Sequence, residues 1–171
     1  MIILMVFLII NMLKIRPFEW KDAEAIHNIN KNREVAILVG DEPAKNLENT
    51  IQTISDMIEK NSILLTAELD GKVIAFLNIR PKKGTESHCA HIGIVVDKKF
   101  WGKGIGSKMM EEGMQLAKKK KLKKLAYSVV EYNERSINLV KNFGFRLAGR
   151  LKKQVFMDKK YYDLLIFEKL L

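Results

Sequence analysis

The run Val95-Val96-Asp97-Lys98-Lys99-Phe100-Trp101-Gly102-Lys103-Gly104-Ile105-Gly106-Ser107 decides how the rest of the chain is read. Apolar β-branched residues lead into a turn, and glycines then stand at alternate positions. A helical stripe of Ile105, Met109, Met110, Met114 and Ala117 follows. Three glycines so placed remove Cβ atoms and let backbone N–H groups approach a ligand closely. The first turn of the helix adds free N–H groups and the positive end of the helix dipole. A strand, a glycine turn and a helix in that order form a seat for a phosphate or a pyrophosphate.

Several phosphate-bearing ligands use such a seat. A P-loop needs Gly, four residues, then Gly-Lys-Ser/Thr, and the chain has no such string. A dinucleotide fingerprint fails because Ser107 stands where its last glycine belongs. Glu131 could pass for the ribose-binding acid of that fingerprint. Too little chain follows Gly106, however, to build the further strand–helix units of that fold. A tight helix entry with no ligand remains the structural alternative for the glycines taken alone.

The flanking segments supply the frame. Upstream, Leu13 to Ile15 reads as a strand closed by Pro17. Asp22 caps a helix to about Lys31, with Ala25, Ile26 and Ile29 on its buried face. A turn at Gly40-Asp41-Glu42-Pro43 precedes a second helix, Lys45 to Lys60, whose stripe is Leu47, Ile51, Ile54 and Ile58. Ile63 to Leu69 and Lys72 to Arg80 form a hairpin through Asp70-Gly71. Ser87 to Val96 is a third long strand. Downstream come the helix from Gly104, a strand from Lys124 to Val130, and a helix from Asn133 to Asn142 ended by Gly144. Phe145 to Arg150 and Tyr162 to Leu170 close the chain as strands, and the last strand offers an edge for pairing in a homodimer. The crossover through the Gly104 helix makes its two flanking strands parallel. The expected fold is α/β: a mixed, mostly antiparallel sheet of six to seven strands with helices on both faces.

Composition narrows the class. The chain has 171 residues, 47% hydrophobic and 29% charged, as in one ordinary globular domain. Its net charge of +10 suits anionic ligands. The six lysines between Lys118 and Lys124 read as a solvated helix end. No aromatic or arginine is interleaved, so nucleic acid is not the expected partner. The single cysteine, Cys89, points to a reducing, cytoplasmic setting. Residues 1–10 are wholly apolar but too short to span a membrane, which takes about 20 residues. They are read as an extension, 1–11, ahead of a true start at Met12, with 12–171 as the single domain; a short membrane anchor is the alternative. No metal-ligand spacing is present: His88 and His91 face opposite sides of a strand.

Three features together resemble the GNAT superfamily of N-acetyltransferases. They are Val96-x-x-x-Phe100-Trp101-Gly102-Lys103-Gly104-Ile105-Gly106, the strand Leu125 to Val130 followed by Asn133-Glu134-Arg135-Ser136, and Asn142-Phe143-Gly144-Phe145. The resemblance implies transfer of an acetyl group from acetyl-CoA to an amine in a ternary complex. The backbone of Trp101, Gly102, Lys103, Gly104, Ile105, Gly106 and Ser107 would hold the pyrophosphate. Ile94, Val95 and Val96 would pair with the pantetheine arm, and Ile94 would polarise the thioester. Asn133 would contact the cofactor, with a plain helix cap as its alternative.

The catalytic groups are less legible. Many relatives carry a tyrosine at the position of Val140, so a tyrosine acid must come from elsewhere, Tyr132 or Tyr127. His91 stands where many relatives have a glutamate base and could take the amine proton; Glu131 is the second base candidate. Two other classes stay open: an acyl-CoA-binding regulatory module without turnover, and a basic nucleic-acid-associated protein.

Overall fold

The computed structural model describes residues 9, 10, 12–40 and 42–171. Most of the expected apolar extension therefore lies outside the described residues, as does Asp41. The two extension residues that are described make contacts: Ile9 packs against the main core, and Ile10 Cδ1 stands 3.3 Å from where a Cβ on Gly104 would lie.

The elements are β1 (Lys14–Pro17), α1 (Ala23–Lys31), α2 (Arg33–Val39), α3 (Leu47–Glu59), β2 (Ile63–Leu69), β3 (Lys72–Pro81) and β4 (Cys89–Val96). Then follow α4 (Ile105–Lys119), β5 (Lys124–Val130), α5 (Glu134–Asn142), β6 (Arg146–Met157) and β7 (Lys160–Leu170). One seven-stranded sheet holds them in the order β1-β2-β3-β4-β5-β7-β6. All pairs are antiparallel except β4 with β5, the parallel pair that the α4 crossover demands.

Side-chain alternation divides the sheet into two faces. Leu77 and Ile79 of β3, Ile92 and Ile94 of β4, and Leu125, Tyr127 and Val129 of β5 form the main core with Ile105, Met109 and Met110 of α4 and Val140 of α5. On the opposite face, Leu64 and Phe76 pack with Ala23 and Ile26 of α1 and Ile54 of α3. An ion network pins the first edge: Arg16 donates to Asp22 at 2.7 and 2.9 Å and to Glu68 at 2.8 Å. Burial opposes the charge on Asp22, yet these hydrogen bonds hold its carboxyl below the usual range.

The structure adds one element and corrects three expectations. Helix α2 fills the stretch between the first expected helix and the Gly40 turn, where no element was expected; it is a seven-residue helix capped by Asn32, whose side chain accepts from Glu34 and Val35. Asp22 does not cap α1 through its side chain, which Arg16 and the Glu19 N–H occupy. The α3 stripe is only half buried, for Leu47, Ile51 and Ile58 are exposed and Ile54 alone of the four is in the core. The closing strands form one long hairpin that takes in the expected loop around Lys152 to Lys160, and β7 lies inside the sheet, so β6 and β1 are the edges.

Candidate active site at the parting of two strands

The parallel strands β4 and β5 pair only through Cys89–Lys124, Ala90–Leu125 and His91–Ala126. Beyond His91 their pairing ends, while β5 stays paired with β7 as far as Val130 and β4 with β3 as far as Val96. The edge of β4 that faces β5 is therefore without a strand partner at Ile94, Val95 and Val96. A seam opens through the sheet, with a chamber on each side.

The first chamber, about 350 Å³, lies on the α4/α5 side and is within the usual range for a small-molecule site. Its rim is the glycine turn. Gly102 and Gly104 both have positive φ, 74° and 78°, which other residues adopt only with strain. Gly104 caps α4, and the first helical bond runs from Lys108 N–H to Gly104 O. The N–H groups of Ile105, Gly106 and Ser107 thus precede the i→i−4 ladder and are available to an anion. Trp101 is fixed by its indole N–H, which donates to Val96 O at 2.8 Å, and Arg135 stacks on its ring at 4.8 Å. Among the described residues no carboxylate lines this chamber.

Of the expected cofactor residues, Ile94, Val95, Val96, Trp101, Gly102, Gly104, Ile105, Gly106, Ser107 and Asn133 line it. Lys103 does not; its ammonium stands over the Phe100 ring at 5.0 Å. Asn133 is spent on protein: its Oδ1 accepts from Ser136 N–H at 3.1 Å, and its Nδ2 donates to Leu38 O at 2.8 Å. It is both the α5 cap and a tie to α2. Sequence reading gave Arg135 and Ser136 no role at the site, although the Asn-Glu-Arg-Ser string carried their signal; Tyr127, weighed there as an acid, lines the chamber.

Helix α2 straps the seam. Its last carbonyls, Ile37 and Leu38, accept from Tyr132 Oη at 3.1 Å and from Asn133. At its first turn Glu34 pairs with Lys98, just before the glycine turn. Both walls of the cleft are thereby tied to one short helix.

The second chamber, about 720 Å³, lies on the α1–α3 side. Asn78 and Arg80 of β3, His91 and Gly93 of β4, and Ser128 of β5 line it. His91 has both ring nitrogens engaged: Arg80 donates to Nδ1 at 2.9 Å, and Nε2 meets Ser128 Oγ at 3.0 Å. A guanidinium only donates, so Nδ1 accepts and the neutral ring carries its proton on Nε2. Burial, with the charges of Arg80 and Lys82, pushes the imidazole down to about 4. His91 is thus neutral near pH 7 and a weak base. Tyr127 borders both chambers, with its hydroxyl 2.7 Å from Ser136 Oγ. Burial pushes its phenol up.

Glu131 and Tyr132 line neither chamber. Glu131 accepts from Asp163 N–H at 3.0 Å and lies 3.8 Å from Arg150. Tyr132 spends its hydroxyl on Ile37 and its ring edge on Tyr162, at 4.7 Å between centroids. Their geometry is that of structural ties rather than of acid and base. Val140, at the position where a tyrosine was missing, is fully buried. Among the described residues no cluster of His, Cys, Asp or Glu could hold a metal ion, and no helix is long and apolar enough to cross a membrane.

Comparison with known proteins places these features. The sequence model described as the Acetyltransferase (GNAT) family matches residues 21–145. The L-amino acid N-acetyltransferase of Escherichia coli (strain K12) is 28% identical over 154 residues, covering 87% of this chain and 92% of that enzyme. The crystal structure of a ribosomal-protein-alanine N-acetyltransferase from Brucella melitensis superposes with a TM-score of 0.84 at 26% identity, over 92% of this chain and 98% of the other. A phosphinothricin acetyltransferase from Sinorhizobium meliloti, determined in complex with acetyl-CoA, has the same fold, with a TM-score of 0.84 at 18% identity over 94% and 89% of the two chains.

Proposed function

The chain belongs to the acetyltransferase (GNAT) family and is an N-acetyltransferase with acetyl-CoA as co-substrate, and from that premise we propose how its own residues divide the work. The observation that carries the reading is the seam: one opening between β4 and β5 lies between a chamber rimmed by the free N–H groups of the first turn of α4 and a second chamber on the α1–α3 side. Acetyl-CoA supplies the thioester to be cleaved. The N–H groups of Ile105, Gly106 and Ser107 hold the pyrophosphate, aided by the dipole of α4. The unpaired edge of β4 from Ile94 to Val96 bonds the pantetheine arm, and the main chain at Ile94 polarises the carbonyl.

The acceptor enters from the α1–α3 side and attacks directly. His91 does not deprotonate it, since its Nε2 already carries a proton and Nδ1 is occupied. The amine arrives neutral from solvent, and His91 orients Ser128 instead. Tyr127 donates from its hydroxyl to the departing thiolate across the seam, the part a tyrosine at Val140 would otherwise play, and regains its proton from the water that takes the one the nitrogen sheds on attack. The setting we assign is cytoplasmic, on the strength of a lone cysteine, Cys89, with the catalytic domain assigned to residues 12–171.

Calorimetry tests the cofactor half. The protein is expected to bind acetyl-CoA saturably, and Gly104→Val is expected to abolish that binding while far-UV circular dichroism is retained. A well-folded Gly104→Val protein with undiminished affinity sinks the assignment.

A further inference from the structure

The acceptor chamber contains a cation with no counter-ion among the described residues. Arg16, Arg33 and Arg150 each face a carboxylate. Arg80 faces none among the described residues; its one protein partner is the neutral His91, at 2.9 Å. That bond uses one of five donors of a guanidinium. Partial desolvation pushes Arg80 below its ordinary value, while the side chain keeps an exposed face open to the chamber. Register places Arg80 opposite His91 and Asn78 opposite Gly93, so both side chains point into the same chamber from one face of β3. Asn78 is 92% buried, at 8% exposure, and its Oδ1 has no hydrogen-bond partner. Its amide lies over Gly93, where a Cβ would meet Nδ2 at 3.2 Å, beside the seam. The one described carboxylate lining the chamber, Glu42, lies 3.7 Å from Lys45.

We propose that Arg80 binds a carboxylate of the acceptor while Asn78 accepts from its amine, so that the acceptor is a free amino acid. The proposal rests on the acetyltransferase reading and narrows it. Two residues along a strand separate their Cα atoms by roughly 6.5–7 Å. An α-amino group and its carboxylate, each with one hydrogen bond, bridge such a gap. A guanidinium takes a carboxylate through two parallel bonds, and an amide cannot replace that pair. A peptide N-terminus brings a neutral carbonyl to Arg80 where a free amino acid brings a charge. A polyamine brings further cations and is repelled.

The test is thiol release from acetyl-CoA with the twenty common L-amino acids, with the α-amide of each acceptor found, with its decarboxylated amine, and with spermidine. The expected kcat/KM for the acid exceeds that for its amide on the order of ten- to a hundredfold, the worth of a hydrogen bond to a charged group. In Arg80→Gln that ratio falls to within a few-fold of one through a raised KM for the acid; Arg80→Lys recovers part of it. Equal or better turnover of amides, amines or spermidine by the wild type overturns the proposal, as does an equal loss on all acceptors in Arg80→Gln. The wild-type comparison needs no variant to fold. If acetyl-CoA binds by calorimetry but no amino acid is turned over, the carboxylate site falls and the enzyme reading stands. If acetyl-CoA does not bind, the enzyme reading itself falls.

Discussion

His91 could be singled out in the sequence, but its state could not. Its two partners lie 11 and 37 positions away, and only the register of β3, β4 and β5 brings them together. The folded imidazole titrates near 4, against 6.5 for an unperturbed one. Between those values the unfolded chain binds a proton that the folded chain refuses, so stability rises with pH across that window. Cooling the argument to a measurement, the thermal midpoint should fall as pH drops from about 6.5 to about 4. His91→Gln should lose that slope, and the ring should titrate near 4 by NMR. An imidazole midpoint near 6.5 removes the buried, Arg80-bonded state. Tyr127 is the second residue whose role depends on placement. Tyr127→Phe is expected to lower kcat about a hundredfold, the scale of one acid–base group, with little change in KM for acetyl-CoA. An unchanged kcat in steady-state assays assigns thiolate protonation to water.

At the scale of elements, strands and long helices were legible because their periods were clean, and α2 was not. Its seven residues are too few to show a helical stripe, and Val35-Ala36-Ile37-Leu38-Val39 is apolar throughout. What makes it a helix is at its ends: Asn32 supplies the first cap, and Tyr132 and Asn133 satisfy its last carbonyls from far along the chain. Asn133 therefore serves two helices. Asn133→Ala should cost about 1–2 kcal/mol by chemical denaturation and weaken acetyl-CoA binding. Asn133→Asp keeps the oxygen that caps α5 and loses the donor to Leu38, so it should hold most of the stability while affinity still drops. If both variants bind acetyl-CoA like the wild type, α2 is no strap. Close packing of α4 on the sheet was also hidden in the sequence, where Gly113 is one more small residue. A Cβ there would meet Leu77 Cδ1 at 2.8 Å. Gly113→Ala should then destabilise by roughly 1–3 kcal/mol through overpacking, with the acetyl-CoA dissociation constant of the folded protein preserved. The final hairpin was read too short because register shifts between Leu147 and Gly149 and between Leu151 and Val155 break its alternation.

The molecule as a whole is organised by one divergence. The glycine turn could be read directly as an anion seat, and the crossover rule gave the parallel pair. That the pair parts after three residues is a matter of long-range register that no local pattern records. On the proposed reading, cofactor and acceptor reach the seam from opposite faces and meet without an intervening side chain to carry the acetyl group. Cys89, the one thiol, lies at the start of β4 and lines neither chamber. Ser128 lines the acceptor side, but His91 Nε2–H donates to its oxygen and so cannot withdraw its proton. Ser136 is bonded to Tyr127. With no activated nucleophile among the described residues of the two chambers, transfer should pass through a complex of both substrates. Initial rates against each substrate should give intersecting reciprocal plots, and protein incubated with acetyl-CoA alone should show no acetylated side chain by mass spectrometry of its peptides. Parallel plots together with an acetyl group on Ser128 would mean that the seam works in two stages and that the neutral tautomer assigned to His91 is wrong.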